Sequence, residues 1–325
     1  MLLFLNYPSW IKPEIIPGVP FLRWYGLMYL FAFAAAFFAF RYQVKNGELE
    51  KFSGMKVSDD DVLRFFTWGI VGLLLGARIF AALVYDTSGI YLRRPWLIFW
   101  PFRDGQWTGL AGMSYHGGFI GGCLGMVLWC VRYRKPFAAW CDCMTASIPL
   151  GYTFGRLGNF LNGELYGRVT ESPLGMFFPS ARRFPLSEEW VQEFAARNGI
   201  PVPLGAATVN LPRHPSQLYE ALFEGLVLWA LLWFVFRKRK PWNGFISAMY
   251  TLGYGLFRFV IEYFREPDSN LGFRITRGEA DAPTYLLESL LNISTGQILC
   301  LLMILGSAGF LAGYPLYRKK KNGVQ

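Results

Sequence analysis

The sequence predicts an all-α polytopic membrane protein with about seven transmembrane helices, interfacial arms and a small extramembrane head. Three observations predict it. Only 17% of residues are charged, against the roughly 25% usual in soluble domains. Hydrophobic residues make up 53% of the chain. They are gathered in runs close to the roughly 20 residues a helix needs to cross a bilayer.

The elements follow in order. Residues 1–20 are apolar and proline-rich, with Lys12 and Glu14 as their charges, and are expected at the membrane interface. The first span runs from Phe21 to Phe40, and residues 41–61 form a solvated loop. The second span, Val62 to Tyr85, carries Arg78. Residues 86–112 mix Trp, Phe and Arg and are too broken to span, so they read as an arm in the headgroup layer. The third span, Met113 to Val131, opens SYHGGFIGGCLG, whose small residues let another helix approach closely. The fourth runs from Phe137 to Leu157.

Residues 169–213 form the head, where Ser187 ahead of Glu188 and Glu189, with Gly199 beyond, predicts a short capped helix. The fifth span starts at HPSQLYEALFEG and ends near Phe236; the sixth covers Gly244 to Tyr263 and the seventh Ile298 to Tyr317. The expected organisation is an N-terminal membrane part (1–168, including the arm), the head (169–213) and a C-terminal membrane part (214–325), all one membrane domain.

The net charge of +10 lies largely in short loops and is no nucleic-acid footprint. Lys and Arg concentrate after spans one, three, five and seven, which sets those loops in the cytoplasm and the N-terminus and head outside. The five cysteines lie in or beside apolar runs and read as small fillers. The N-terminus has neither the basic region nor the cleavage site of a secretory signal.

On this topology Tyr25, His116, Glu220 and Glu224 fall near the starts of inward spans, and Arg78, Arg156, Arg258 and Glu262 near the ends of outward ones. All eight therefore lie in the outer half of the membrane. Intramembrane charges are costly and mark functional sites. The richest stretch is GRLGNFLNGELYGR (155–168), which holds Arg156, Asn159, Asn162, Glu164, Gly167 and Arg168. Arg156 and Asn159 share a helix face, and Arg258 and Glu262 are spaced to pair, with Arg265 continuing on that side. Several arginines aimed at one point suit a phosphodiester. Of the two histidines, His116 at a glycine-rich helix entrance is the candidate base, and His214 beside Pro215 the loop anchor. GxSxG, HExxH and P-loop motifs are absent, and two separated histidines without an acidic cluster predict no metal.

Taken together, RWYGLMYL, AGMSYHGG, GRLGNFLNGELYGR, RHPSQLYE and GYGLFRFVIEYFREPD resemble, in order, the motifs of the bacterial prolipoprotein diacylglyceryl transferase family. The resemblance covers residues 21–317, with Ala111 and Tyr115 as modest departures. It implies an inner-membrane enzyme with a periplasmic head and no cofactor. Its implied partners are phosphatidylglycerol and prolipoprotein signal peptides bearing a lipobox cysteine, within membrane lipid and without nucleic acid. The reaction would transfer diacylglyceryl to the thiol and release glycerol phosphate. In that reading Arg156 and Arg258 hold the phosphate, Asn159, Asn162, Glu164 and Gly167 order the headgroup, and Glu262 orients Arg258. Arg265, Gln217 and Glu220 support them, and His116 or Tyr25 assists deprotonation. The rival readings are an anion transporter and a non-catalytic lipid-binding protein.

Overall fold

The computed structural model describes residues 4–16, 18, 22–100, 102–103, 106–107, 112–266, 272–277, 285–287 and 289–322. Phe21, where the first span is expected to begin, and residues 101, 104–105 and 108–111 of the arm lie outside them. Among the described residues the main elements are helices: α1 (Trp24–Lys45), α2 (Asp59–Tyr85), α3 (Tyr115–Arg132), α4 (Phe137–Thr145), α5 (Ile148–Leu161), α6 (Glu189–Arg197), α7 (Ser216–Arg239), α8 (Phe245–Ile261) and α9 (Thr295–Asn322). Four of them, α1, α2, α7 and α9 as far as Lys320, are long and apolar enough to cross a bilayer; α8 is apolar but shorter. This is a multi-pass membrane protein.

The fourth expected span is not one helix. Residues 137–157 break between α4 and α5, because Pro149 has no N–H to donate back to the preceding turn and its ring crowds that turn. Proline is tolerated in a first helical turn, so α5 restarts there.

The chain divides into two compact units, Phe40–Cys143 and Met1–Ala39 with Met144–Gln325. In the first, α2 starts at a capping box: Ser58 Oγ accepts from Asp61 N at 3.1 Å and Asp61 accepts from Ser58 N at 3.2 Å. Gly72 and Gly76 of α2 face Gly117 and Gly121 of α3, and a Cβ on any of the four would overlap the opposite backbone. The expected small-residue face is therefore a helix contact, held by backbone proximity. At the other end Phe65, Trp129 and Trp140 are buried with ring centroids 4.6–5.4 Å apart. Arg78 is spent on the arm. Its Nε donates to the Ile98 carbonyl and its other nitrogens to Tyr91 Oη at 3.2 Å and Gly112 O at 3.3 Å.

The second unit holds the head. Its core is Val169, Phe184, Val191, Phe194, Ala195, Ile200, Val209 and Leu211, against which Phe4 and Tyr285 pack. The N-terminal segment ties the head to α5: Leu5–Asn6 pair in parallel with Met176–Phe177 of the head, and Tyr7 Oη donates to the carbonyls of Phe160 and Leu161 at the end of α5. In α6 the capping residue is Glu188, not the expected Ser187, and Glu188 is held by Trp190 Nε1 at 2.5 Å. In the membrane part of this unit, α7 packs on α5 where Gly225 meets Thr153. Through Ala221–Val227 the helix winds as π turns, a distortion common at functional sites.

Candidate active site

Glu220 is the hub. Its carboxylate is fully buried. Arg156 of α5 reaches Oε2 at 3.0 Å and Arg258 of α8 reaches the same oxygen at 2.9 Å. Arg265, just past α8, reaches Oε1 at 3.2 Å. Each residue sits where its helix puts it: Glu220 closes the first regular turns of α7, and Arg156 and Arg258 lie in the last turns of their helices. A lone buried carboxylate costs several kcal/mol, and three guanidinium groups at contact offset that.

Two more carboxylates complete the set. Glu224, one turn along α7, lies 3.7 Å from Arg258 and accepts a bond from Tyr152 Oη. Glu262 faces Arg258 at 3.3 Å and Arg265 at 3.8 Å, and accepts from Ser294 Oγ at 3.0 Å. Three arginines thus face three glutamates, so the cluster is formally neutral. Tyr152 was not singled out from the sequence. Its ring lies 4.8 Å from the Arg156 guanidinium carbon and its hydroxyl is 3.3 Å from Glu220. The signal was its position four residues before Arg156, on the same helix face.

The glutamates do not enclose the arginines. Arg156, Arg258 and Arg265 keep 16–18% of their side chains exposed, while Glu220 and Glu224 keep none. Arg258 meets Glu220, Glu224 and Glu262, and Arg265 meets Glu220 and Glu262. The arginines of this cluster therefore stay partly accessible while the Glu220 and Glu224 carboxylates between them do not.

The Asn159 amide donates to Glu164 Oε1 at 3.1 Å, so these two act together in the loop after α5. Gln217 is fully buried and holds that loop by donating to the Glu164 carbonyl at 2.6 Å. Gly167 donates to His214 O at 2.8 Å, and a Cβ there would strike the Phe264 carbonyl. Its glycine is demanded by the backbone. Asn162 lines a recess of about 470 Å³ with Lys12, Pro13, Glu14 and Arg23. Tyr25 near the start of α1 shares a 2.9 Å hydrogen bond with Tyr29.

His116 belongs to the other compact unit, on the first turn of α3. Its Nδ1 is 3.2 Å from Tyr85 Oη, which also accepts from Ser114 Oγ at 3.3 Å. His214 lies ahead of α7. Its N–H donates to Arg168 O at 2.9 Å, its ring meets Phe264 edge-on, and Nδ1 is 3.4 Å from Tyr219 Oη. Burial, reinforced by the nearby Arg168 charge, pushes the His214 imidazole down to about 4. Burial also lowers the Arg168 guanidinium to about 10, with Glu262 and Glu266 acting against it. No group of three or more metal-ligating side chains occurs among the described residues.

The family model of prolipoprotein diacylglyceryl transferases matches residues 15–312. The chain is 59% identical to the phosphatidylglycerol–prolipoprotein diacylglyceryl transferase of Treponema denticola, covering 98% of this chain and 97% of that one. It is 55% identical to the Treponema pallidum protein of the same name, over 98% of each. It is 41% identical to the one from Chlorobaculum tepidum, over 94% and 91%. With the match spanning the arginine cluster, Asn159–Glu164 and His116 alike, the chain belongs to the prolipoprotein diacylglyceryl transferase family.

Proposed function

We propose that this protein transfers the diacylglyceryl group of phosphatidylglycerol to the lipobox cysteine of a prolipoprotein, the first step of lipoprotein maturation. The observation that carries the reading is 55–59% identity over nearly the whole length of relatives named for that reaction. The site chemistry agrees with it. The cysteine thiol loses its proton, since the thiolate is the nucleophile. Sulfur forms a bond to the glyceryl carbon, the carbon–oxygen bond to phosphate breaks, and glycerol phosphate leaves with the electron pair. The products are a thioether and glycerol phosphate.

In this mechanism Arg156 and Arg258 hold the phosphodiester and stabilise the charge that develops on the leaving oxygen. Glu262 orients Arg258. Glu220 spaces Arg156, Arg258 and Arg265 around one point, and Tyr152 backs Arg156. Asn159 and Glu164 order the glycerol headgroup, on a loop fixed by Gln217 and Gly167, with Asn162 at its edge. His116 takes the thiol proton, with Tyr25 as the other candidate. The protein lies in the bacterial inner membrane with seven spans, its N-terminus and the head of residues 169–213 in the periplasm and its C-terminus in the cytoplasm. A transporter or passive lipid-binding role finds no support in the named relatives.

The test is reconstitution. Purified protein, labelled phosphatidylglycerol and a lipobox peptide should yield a diacylglyceryl thioether and glycerol phosphate, both identified by mass. Consumption of neither substrate would reject the proposal. Orientation has its own test. A cysteine at Asn198 should react with an impermeant thiol reagent in cells whose outer membrane alone is opened, and labelling only after inner-membrane lysis would reverse the topology.

A further inference from the structure

Ser294, Gly296 and Gln297 stand at the start of α9, the last helix. Ser294 and Gln297 form a reciprocal capping box. Gln297 N donates to Ser294 Oγ at 3.2 Å, and Ser294 N donates to Gln297 Oε1 at 2.9 Å. Such a box satisfies two of the orphan donors of a helix start. This one does more. The Ser294 hydroxyl proton goes to Glu262 Oε1 at 3.0 Å, and Gln297 Nε2 reaches the Phe259 carbonyl of α8 at 3.4 Å. Gly296 leaves room for the same carboxylate: a Cβ there would lie 2.6 Å from Glu262 Oε1. Ser294, Gln297 and Glu262 are all buried. A carboxylate seated at a helix N-terminus is also favoured by the helix dipole. The other oxygen of Glu262 faces Arg258 and Arg265.

We infer that Ser294 and Gly296 are positioning residues for the transfer reaction. They fix the Glu262 carboxylate, and through it the guanidinium of Arg258, so that the start of α9 sets the aim of the phosphate-holding arginine. The inference rests on the transferase reading above. Its chemistry is specific. The hydroxyl must donate to Glu262 while accepting from the backbone, and position 296 must have no side chain.

Two substitutions separate positioning from capping. Ser294→Asp keeps a good helix cap, since aspartate caps as well as serine, but it cannot donate to Glu262 and adds a like charge. Gly296→Ala improves helix propensity, but its methyl displaces the carboxylate. Each should lower kcat roughly ten- to hundredfold, the scale expected when a reacting group is held about 1 Å out of place. KM for phosphatidylglycerol should stay within about threefold, and thermal unfolding of Gly296→Ala in detergent should stay near that of the parent. Ser294→Thr, which keeps the hydroxyl, should recover near-parent kcat. Glu262→Asp placed on Gly296→Ala should restore part of it by withdrawing the carboxylate from the methyl. Parent-level kcat in folded Ser294→Asp or in Gly296→Ala overturns the inference. If Ser294→Asp does not fold, Gly296→Ala decides alone. Failure of Gly296→Ala to fold also counts against the inference, which puts the whole cost on Glu262. A parent protein that forms no thioether would overturn the transferase reading itself, and this inference with it.

Discussion

Two sets of arginines share the larger compact unit, and they are satisfied in different ways. Arg168 and Arg213 are 1% and 0% exposed. Arg168 spends its nitrogens on the carbonyls of Arg265 and Leu286 and lays its guanidinium 4.8 Å from the Phe273 ring. Arg213 pairs with Glu266 and lies 5.0–5.2 Å from the rings of Phe184 and Tyr166. Carbonyls and a ring hold the Arg168 guanidinium. Arg156, Arg258 and Arg265 instead share Glu220 and keep 16–18% of their side chains exposed. The two sets differ in exposure: the first is sealed, and the second keeps part of each side chain accessible.

The largest effects should separate the two sets. Arg156→Ala and Arg258→Ala should each lower kcat/KM by about 10²–10³, the cost of losing one donor to a developing anion. Arg156→Lys should recover only part, because an ammonium cannot make a planar two-point contact. Arg168→Leu should do the reverse. It should keep the turnover of the folded protein and lose about 2–4 kcal/mol of stability by leaving buried carbonyls unpaired. Initial rates and thermal unfolding on all four variants check this. Near-parent turnover in Arg156→Ala, at matched protein level, would erase the distinction.

The histidines differ in the same sense. His116→Gln should slow thioether formation by about 10² while phosphatidylglycerol still binds, the lower end of what general-base assistance contributes. Partial recovery at high pH is expected, since solvent then supplies thiolate. Tyr85→Phe, which removes the hydroxyl 3.2 Å from His116 Nδ1, should cost only a few-fold in rate, because it removes one hydrogen-bond partner and leaves the ring. An unchanged rate in His116→Gln at neutral pH would pass the base role to Tyr25.

The polar residues of the candidate site were legible in the sequence because they interrupt apolar runs. Arg156, Glu220, Arg258 and Glu262 have no ordinary reason to be there, so each announced itself. The i, i+4 spacing of Arg258 and Glu262 correctly foretold their pairing, because helix geometry alone fixes it. What could not be read was which carboxylate meets which arginine across helices. Glu220 as the shared partner depends on the packing of α7 on α5 and α8, as does the underlay of Tyr152. Ser294 was overlooked because its message lies in a capping box far along the chain from the cluster. The break between α4 and α5 was overlooked because hydropathy runs on through Pro149. Arg78 looked like a member of the cluster from its depth alone, and it is spent on Ile98, Tyr91 and Gly112.

The smallest effect concerns stability and pH, and it isolates His214. Burial and the neighbouring Arg168 charge hold this imidazole neutral down to about pH 4, against 6.5 for the free side chain. Between those values the unfolded chain binds a proton that the folded protein refuses. Stability therefore falls as pH is lowered through that window, and the contribution at neutral pH is at most about 3 kcal/mol. The loss should start near pH 6.5, ahead of the carboxylates. His214→Gln removes the titrating group and keeps a polar side chain beside Tyr219. It should be slightly less stable at pH 7.5, where the ring contact with Phe264 is lost, and its stability should be flatter than the parent's between pH 6.5 and 5. Turnover should change little, because His214 serves Arg168 and the loop rather than the arginine cluster. Denaturant midpoints at four or five pH values on the two proteins measure the slopes. Parallel slopes would mean that His214 is protonated in the fold, and that the head-side arginines do not exclude charge as their burial implies.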